Sequence, residues 1–313
     1  MSFIQVQEPG LLTTVQDLGR DGFGPLGVSP SGAADPISLR LGNRLVANPE
    51  SAAGLEMTLL GGTFLFPEGA ILALTGSDFV VTLDGTVVDL WTSIDVRPGQ
   101  TLRVGPARSG ARCYLCVGGG IAVKPFLGSS STHILTGLGG FEGRPLRKGD
   151  VLDIGSAIGS FRNRTIAPQA RNHLSPRHIL RVTTGPQSNW FSESSLSEFY
   201  RETFRVGEQS NRMGLRLEGK PVTQNSPGEM ITEGVSLGAV QVTHGGLPII
   251  LFVEQQTTGG YPKIANVISA DLHRVGQLSP RDEILFEQAT FEVARSLLME
   301  QEKILASEEL ILE

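Results

Sequence analysis

The sequence has few of the features that mark secreted or membrane-spanning proteins. It contains 2 cysteines in 313 residues, too few for a disulfide framework. Its first residues, MSFIQVQEPG, lack the basic and apolar stretches of a signal peptide. No apolar run approaches the roughly 18 residues that a membrane span needs. We therefore expect a cytoplasmic protein that does not enter a membrane.

Positive charge is also scarce. The 26 Lys and Arg residues are outnumbered by 32 Asp and Glu residues, which gives a net charge of −6. Binding to a phosphate backbone needs a basic face, so nucleic acid is not an expected partner. The 5 histidines show no metal-ligand spacing, and no metal site is predicted.

Glycine, in contrast, is over-represented. The chain has 39 glycines and 18 prolines, where glycine normally makes up about 7% of residues. Helix interiors tolerate neither residue well, so this composition excludes a helical bundle and favours many short strands joined by tight turns. The clearest predicted strands are Phe64–Phe66, Ile71–Thr75, Phe79–Leu83, Val87–Leu90, Cys113–Val117, Ile179–Thr184 and Ala239–Val242.

Helices are predicted at three places only. Asp35 followed by Pro36 is typical of a helix start, and an apolar stripe continues to about Val46. Further helices are predicted over Ser194–Phe204 and Thr290–Leu305. The segment 161–178 lacks apolar periodicity, and we interpret it as a linker between an N-terminal domain (1–160) and a C-terminal domain (179–313) that carries the last helix.

Two stretches approach known signatures without matching them. Gly214–Lys220 has the spacing of a phosphate-binding loop, but Pro221 replaces the hydroxyl residue and the intervening residues resemble a strand. Cys113 and Cys116 form a C-x-x-C pattern inside a predicted strand, where residues three apart point to opposite faces. We therefore expect neither a nucleotide site nor a metal site at these positions.

Three polar, glycine-rich segments remain as candidates for a site, because loops on a rigid scaffold often carry function. The first is Gly10–Asp35, which includes Arg20. The second is Gln209–Gly219, in which Asn211 and Arg212 precede a strand. The third is Glu254–Asp271, in which Gly259 and Gly260 allow close approach of a ligand and Lys263 follows a Tyr-Pro pair. Arg212 and Lys263 could bind a carboxylate or stabilise an oxyanion.

These segments also carry a resemblance. PGLLTTVQDLGR, GVSPSGAAD, LTGSDF, GARCYLCVGGGIAVKPFLGSSST, LGGFEGRPLRKGD, SNRMGLRLEG and QTTGGYPKIANVISADL resemble the allophanate hydrolase subunit 2 family. This family is also called the Kip antagonist or biotin-dependent carboxyltransferase family. The resemblance extends from residue 3 to residue 287, and the SNRMG form is similar to the branch found in ATP-dependent 5-oxoprolinases.

The resemblance implies a mainly β fold with two cyclophilin-like β-barrel domains and a few short helices. It implies one component of a hydrolase that is active only with its partners, a Kip inhibitor-like protein and a protein of the lactam-utilisation family. The implied reaction opens a small cyclic amide, 5-oxo-L-proline, to L-glutamate with hydrolysis of ATP. Since no phosphate loop is predicted in this chain, we expect ATP to be bound with or by the partner subunits.

This chemistry suggests roles for particular residues. Arg212 or Arg20 would hold the substrate carboxylate, Lys263 would stabilise developing negative charge, and Glu233 or Asp271 would act as general base. The predicted catalytic residues are therefore Lys263, Arg212, Glu233 and Asp271. The predicted substrate-binding residues are Arg20, Asn211, Gln255, Thr257, Thr258, Gly259, Gly260 and Tyr261.

Two alternatives remain open at this point. Urea carboxylases contain a domain similar to this chain, and a carboxyltransferase would present Lys263 and Tyr261 to carboxylated biotin and urea. A regulatory member of the family would instead bind and antagonise a kinase inhibitor, without any need for Lys263. Both catalytic readings require recognition of an amide and an anion, so the sequence alone does not separate them.

Overall fold

The computed structural model describes residues 2–157, 161–168, 171, 178–225 and 230–313. The chain divides into two compact units: unit 1 comprises residues 1–20, 31–175 and 305–313, and unit 2 comprises residues 21–30 and 176–304. Residues 21–30 thus belong to unit 2 although they lie within the predicted N-terminal domain. Residues 305–313 belong to unit 1 although they lie within the predicted C-terminal domain. The predicted linker 161–178 lies partly outside the described residues, and this boundary stays a prediction.

The described secondary structure is mainly β, as predicted. Its helices are α1 (Pro36–Leu45), α2 (Glu193–Arg201), α3 (Leu272–Val275) and α4 (Phe291–Ala306). The strands are β1 (Phe3–Glu8), β2 (Leu12–Gln16), β3 (Gly54–Thr58), β4 (Thr63–Phe66), β5 (Ala70–Gly76), β6 (Phe79–Leu83), β7 (Thr86–Val87), β8 (Ser93–Val96), β9 (Gln100–Ala107), β10 (Arg112–Val117), β11 (Val151–Asp153), β12 (Thr165–Ile166), β13 (Ile179–Thr184), β14 (Phe204–Val206), β15 (Gly214–Glu218), β16 (Glu233–Gly234), β17 (Ala239–Val242), β18 (Pro248–Leu251), β19 (Thr258–Gly259), β20 (Lys263–Val267), β21 (Glu283–Gln288) and β22 (Ile311–Leu312).

Unit 1 is built from two antiparallel sheets that share one apolar core. The six-stranded sheet has the order β11-β1-β4-β9-β6-β7, and the five-stranded sheet has the order β2-β3-β10-β5-β8. Fully buried side chains from both sheets, including Ile4, Phe64, Leu74 and Leu115, belong to the same cluster. A small third sheet pairs β12 with β22. Among the described residues, no helix is long and apolar enough to cross a membrane.

The start of helix α1 confirms the predicted cap. Asp35 Oδ1 accepts a hydrogen bond from the backbone N–H of Ser38 at 3.0 Å, and Pro36 occupies the first turn. The sequence did not reveal a buried network just before it. Glu56 Oε2 accepts from the backbone N–H of Ala34 at 2.8 Å and from the hydroxyl of Tyr114 at 2.7 Å. This network attaches the loop before α1 to strands β3 and β10.

Two predicted elements need correction. The predicted strand Val87–Leu90 is reduced to β7, because the chain turns to Trp91, whose left-handed φ of 64° and hydrogen bond to Leu74 O at 2.7 Å lead it to the other sheet. The helix predicted over Ser194–Phe204 ends at Arg201. Phe204 instead begins β14, where its ring lies 5.9 Å from that of Phe286.

Unit 2 contains a closed barrel of seven strands in the order β13-β20-β17-β18-β15-β14-β21. Neighbouring strands are antiparallel except β13 and β21, which are parallel. Phe199 of α2 stacks on Phe286 of β21 with ring centroids 4.6 Å apart, so that helix covers one side of the barrel. A separate two-stranded ribbon pairs β16 with β19 and places Glu233 opposite Gly259.

The two cysteines illustrate how deeply β10 is buried. Cys113 and Cys116 are both fully buried, and neither forms a disulfide. Burial raises the pKa of both thiols far above the usual value, because the thiolate would lose its hydration. They are therefore expected to be unreactive side chains of the core.

We predict that the native protein reacts with neither cysteine, whereas the unfolded chain reacts with both. Ellman's reagent measures this directly, since the absorbance should correspond to no thiol before and two thiols per chain after addition of denaturant. Rapid reaction of one thiol in the native protein would contradict the burial of β10.

Candidate active site

Lys263 stands at the first position of β20, opposite Gln241 of β17 in the barrel. Its side chain is only 5% exposed, and its ammonium group forms an ion pair with Glu233 Oε1. A buried ammonium group is costly unless an anion compensates it, and Glu233 provides that compensation. The structure thus pairs Lys263, the predicted cation, with Glu233, and its role in a site stays a prediction.

Glu233 provides the partner charge from the β16–β19 ribbon. Its side chain is 45% exposed, so the pair has one buried and one accessible member. The hydrogen bond from Lys263, followed by one from Gln187, lowers the pKa of Glu233 below its ordinary value. A carboxylate with a lowered pKa is a weaker base, and the geometry therefore favours Glu233 as a charge partner over a general base.

Gln187 contacts both members of this pair, and the sequence did not indicate it. Its Nε2 donates to Glu233 Oε1 at 2.8 Å, and its Oε1 accepts from the backbone N–H of Lys263 at 3.2 Å. It follows the Gly185-Pro186 pair immediately after β13. A polar residue in the turn at the end of a barrel strand was the only sequence signal, and it is a weak one.

The glycine-rich segment after residue 256 forms the ribbon beside this pair. Thr258 and Gly259 make up β19, and Thr257 O accepts a hydrogen bond from the backbone N–H of Val235 at 3.1 Å. A Cβ added to Gly259 would lie 2.6 Å from Nε2 of Gln241, so a larger residue here would displace the end of that side chain. Gly259 therefore serves a close approach between the ribbon and the barrel.

The remaining residues of this segment differ in environment. Gly260 is exposed and has no close neighbour that a Cβ would disturb. Tyr261 is half-buried, and its ring meets the His244 ring edge-on at 5.4 Å. The carbonyl of Tyr261 accepts from Gln241 Nε2 at 3.3 Å. Tyr261 lies two residues before Lys263 along the chain, and its ring is held against His244.

Gln255 is buried and bonds to the backbone before β17. Its amide group is satisfied when its nitrogen donates to Ser236 O at 3.0 Å and its oxygen accepts from Leu237 N at 3.1 Å. Both ends of the amide thereby hold the turn that follows the ribbon. This geometry favours a structural role for Gln255 over recognition of a substrate amide.

Arg212 and Asn211 are also engaged within the protein. Arg212 Nε lies 2.5 Å from Glu254 Oε1, and the side chains are 4% and 3% exposed. The backbone N–H of Glu254 also donates to Arg212 O at 2.9 Å. Asn211 Oδ1 accepts from the backbone N–H of Met213 at 2.8 Å, which closes a tight turn before β15. Both residues therefore stabilise the loop before β15. The sequence did not indicate Glu254 as the partner of Arg212.

Asp271 is completely buried and bound to two arginines. Its Oδ2 accepts from Arg181 Nε at 2.9 Å, and its Oδ1 lies 2.6 Å from Arg181 Nη2 and 3.1 Å from Arg274 Nη1. The Asp271 carboxylate raises the pKa of Arg181. With both oxygens held by cations, Asp271 is suited to joining β13 to α3 and not to accepting a proton from a substrate.

Arg20 belongs to unit 1, whereas the other predicted site residues belong to unit 2. It is 3% exposed, its Nη2 donates to Ser131 O at 2.5 Å, and its guanidinium lies 5.6 Å from the centre of the Phe126 ring. Nearby, Asp17 accepts from Ser129 Oγ at 2.7 Å and from the backbone N–H of Ser130 at 2.6 Å. Arg20 is therefore part of a polar cluster that orders the loops of unit 1.

The structure thus groups Lys263, Glu233 and the 257–261 segment around one accessible ion pair. Only the Glu233 member of this pair is exposed, and a cation beside a bound molecule can stabilise negative charge that develops on it. Among the described residues, no cluster of three or more His, Cys, Asp or Glu side chains is arranged to hold a metal. Lys263, Glu233 and Gln187 can supply charge stabilisation and hydrogen bonding.

The chain is similar to a known protein family and to individual proteins over most of its length. Residues 26–288 match the family described as carboxyltransferase domain, subdomain A and B. Over 302 residues, the chain is 38% identical to the C subunit of 5-oxoprolinase from Escherichia coli K12, with 96% of each chain covered.

Larger proteins contain a similar region. The urea amidolyase of Saccharomyces cerevisiae is 36% identical over 97% of this chain, which corresponds to 18% of that protein. The crystal structure of the K. lactis urea amidolyase superimposes with a TM-score of 0.90 at 33% identity, covering 99% of this chain and 21% of that one. The chain thus spans about a fifth of the urea amidolyases that it matches.

The buried Arg212–Glu254 pair provides a test of the structural assignment. We predict that Arg212→Met lowers the free energy of unfolding by about 3–5 kcal/mol, because it leaves the Glu254 carboxylate buried without its partner. The double variant Arg212→Met/Glu254→Leu should recover most of that loss. Urea denaturation followed by circular dichroism measures both.

Arg205 is the matched control, because its ion pair with Glu218 is largely exposed. Arg205→Met should leave stability almost unchanged, since exposed pairs contribute little. An Arg212→Met protein as stable as this control would contradict the structural role and would favour the predicted catalytic role, in which Arg212 holds the substrate carboxylate.

Proposed function

The chain belongs to the family of carboxyltransferase domains with subdomains A and B, and on this basis we propose that it is the C subunit of an ATP-dependent 5-oxoprolinase. The proposed complex converts 5-oxo-L-proline, ATP and water to L-glutamate, ADP and phosphate. The observation that carries this proposal is the match to the C subunit of a 5-oxoprolinase, which covers 96% of both chains. Urea amidolyases match this chain only through a fraction of their length.

Partner subunits are part of the proposal. The relative is named as one subunit of an enzyme, which implies others. We propose that a Kip inhibitor-like protein and a protein of the lactam-utilisation family fill these positions, and that ATP is bound with or by them. In support, the Gly214–Lys220 stretch, which approaches a phosphate-binding loop in spacing, begins with strand β15 (Gly214–Glu218) of the barrel. A phosphate loop would instead lead into a helix.

The ion pair fits the chemistry of such a reaction. A lactam carbonyl is a poor electrophile, and transfer of a phosphoryl group from ATP to its oxygen lets one water attack the carbon. The ring C–N bond then breaks with the amine as leaving group, and a second water cleaves the resulting acyl phosphate to the carboxylate and phosphate. Negative charge develops on oxygen during these steps. The Lys263 ammonium would stabilise that charge, with Glu233 holding it in place.

Carboxyl transfer is the second candidate function. It is favoured by the name of the matching family and by the similarity to urea amidolyases. In that reaction Lys263 and Tyr261 would face a carboxylated biotin supplied by another domain or chain. The same residues would serve, because the transferred carboxylate is also an anion bound beside an amide.

Cytoplasmic action is proposed as well. Both cysteines are reduced, buried thiols, which is the usual state of cysteine in cytoplasmic proteins. ATP as a substrate agrees with this location.

Reconstitution distinguishes the two reactions. We predict that the chain, co-expressed with its proposed partner subunits, supports hydrolysis of ATP that depends on 5-oxoproline and produces glutamate in equal amount. Urea and bicarbonate with a biotin carboxylase should give no turnover. Turnover in the urea assay but not with 5-oxoproline would establish the carboxyltransferase function. No turnover with either substrate would contradict both catalytic functions.

Lys263→Met tests the role of the cation in this complex. We predict a loss of about 10²–10³-fold in kcat, the range observed when one preorganised charge-stabilising group is removed. Lys220→Met is the control, because Lys220 is an exposed lysine paired with Glu198. Equal activity of the two variants would remove Lys263 from the mechanism.

A further inference from the structure

We propose that Gln187 is a positioning residue that fixes Lys263 and Glu233 relative to each other before the reaction begins. This inference rests on the proposed function, because it assigns Gln187 a role at the same ion pair. It concerns a residue outside the glycine-rich segments, and it follows from how the turn after β13 contacts the first residue of β20.

The turn of residues 185–188 lies directly against β20. The backbone N–H of Gly185 donates to Ile264 O at 2.9 Å, and the backbone N–H of Gln187 donates to Lys263 O at 3.2 Å. A Cβ added to Gly185 would lie 2.2 Å from Lys263 O, so only glycine permits this approach. Gln187 is therefore held beside Lys263 by backbone contacts that do not involve its own side chain.

The Gln187 amide then bonds to both members of the pair. Its Oε1 accepts from the backbone N–H of Lys263 at 3.2 Å, and its Nε2 donates to Glu233 Oε1 at 2.8 Å. The same Glu233 oxygen receives the Lys263 ammonium group. One glutamine thus joins the backbone of the lysine to the carboxylate that neutralises its side chain.

The hydrogen bond from Gln187 constrains the position of Glu233, which lies on the short ribbon outside the barrel. Glu233 lies in β16, a strand of two residues outside the barrel, whereas Lys263 lies in the barrel wall. A short, exposed ribbon opens more easily than a barrel strand. The bond from Gln187 ties Glu233 to the wall, and a displacement of about 1 Å at such a site can cost on the order of 100-fold in rate.

Gln187→Met and Gln187→Glu test the proposal in the reconstituted complex. Met preserves the length of the side chain without either hydrogen bond, and Glu keeps an acceptor for Lys263 N while placing a carboxylate against Glu233. We expect kcat to fall by at least tenfold for Met and further for Glu, with little change in KM for 5-oxoproline. A loss in kcat at constant binding is the signature of an interaction needed in the transition state.

Gln288→Met is the matched control, since Gln288 is an exposed glutamine of the same unit that bonds to Thr184 Oγ1 at 3.2 Å. It should retain full activity, and thermal melts should show that all variants are folded. Gln187→Met with kcat within twofold of the control would overturn the proposal. If Met does not fold, the same limit applies to Gln187→Glu.

A second readout uses the whole chain without its partners. The Glu233 carboxyl carbon can be followed by NMR during a pH titration and assigned by its absence in Glu233→Gln. Lys263 and Gln187 together lower the pKa of Glu233, and Lys263 is the charged group that faces it among the described residues. Loss of the Gln187 donor should therefore raise this pKa in Gln187→Met, and more so in Gln187→Glu.

The sign of this effect follows from linkage. A lowered pKa means that the interaction is present at higher pH and is lost as pH falls through the folded-state value, so weakening it moves the transition to higher pH. An unchanged titration would overturn the proposal even if the complex were inactive on 5-oxoproline. A shifted titration in a chain without oxoprolinase activity would keep the positioning role and reject only the proposed reaction.

Discussion

The candidate site depends on how a buried ammonium group is neutralised. Lys263 stands in the wall of a closed barrel, where a charge without a partner would be costly. Glu233 meets it from a short ribbon, Gly259 lets that ribbon approach Gln241, and Gln187 joins the two charged residues. Each of these features has a physical reason once the position of the lysine is given. The exposed carboxylate keeps the pair accessible to a bound molecule.

The sequence predicted the fold class well, because glycine content and apolar alternation are local signals. The Asp35 cap was confirmed for the same reason, since its bonds reach only three residues along the chain. The errors occurred where distant residues decide. Phe204 continues a helical pattern, but it packs as a strand residue against Phe286. Similarly, the strand predicted over Val87–Leu90 gives way to a turn that bonds to Leu74.

The sequence indicated several residues that the structure brings together, and their roles stay predictions. Lys263 and Glu233 were both proposed, yet their ion pair depends on a ribbon that pairs residues far apart in sequence. Asp271 is held by arginines whose positions only the fold reveals. Gln187 carried almost no signal of its own, because an isolated glutamine after a turn has many possible roles. Long-range register therefore accounts for what sequence patterns missed.

A double-mutant cycle on Lys263 and Glu233 tests the central claim most directly. The kcat of the reconstituted complex would be measured for Lys263→Met, Glu233→Gln and the combination of the two. If the pair acts as one unit, the double variant will be about as slow as Lys263→Met alone, because residues that act together are not additive. Losses that multiply, or full activity of Glu233→Gln, would contradict the claim that this ion pair organises the site.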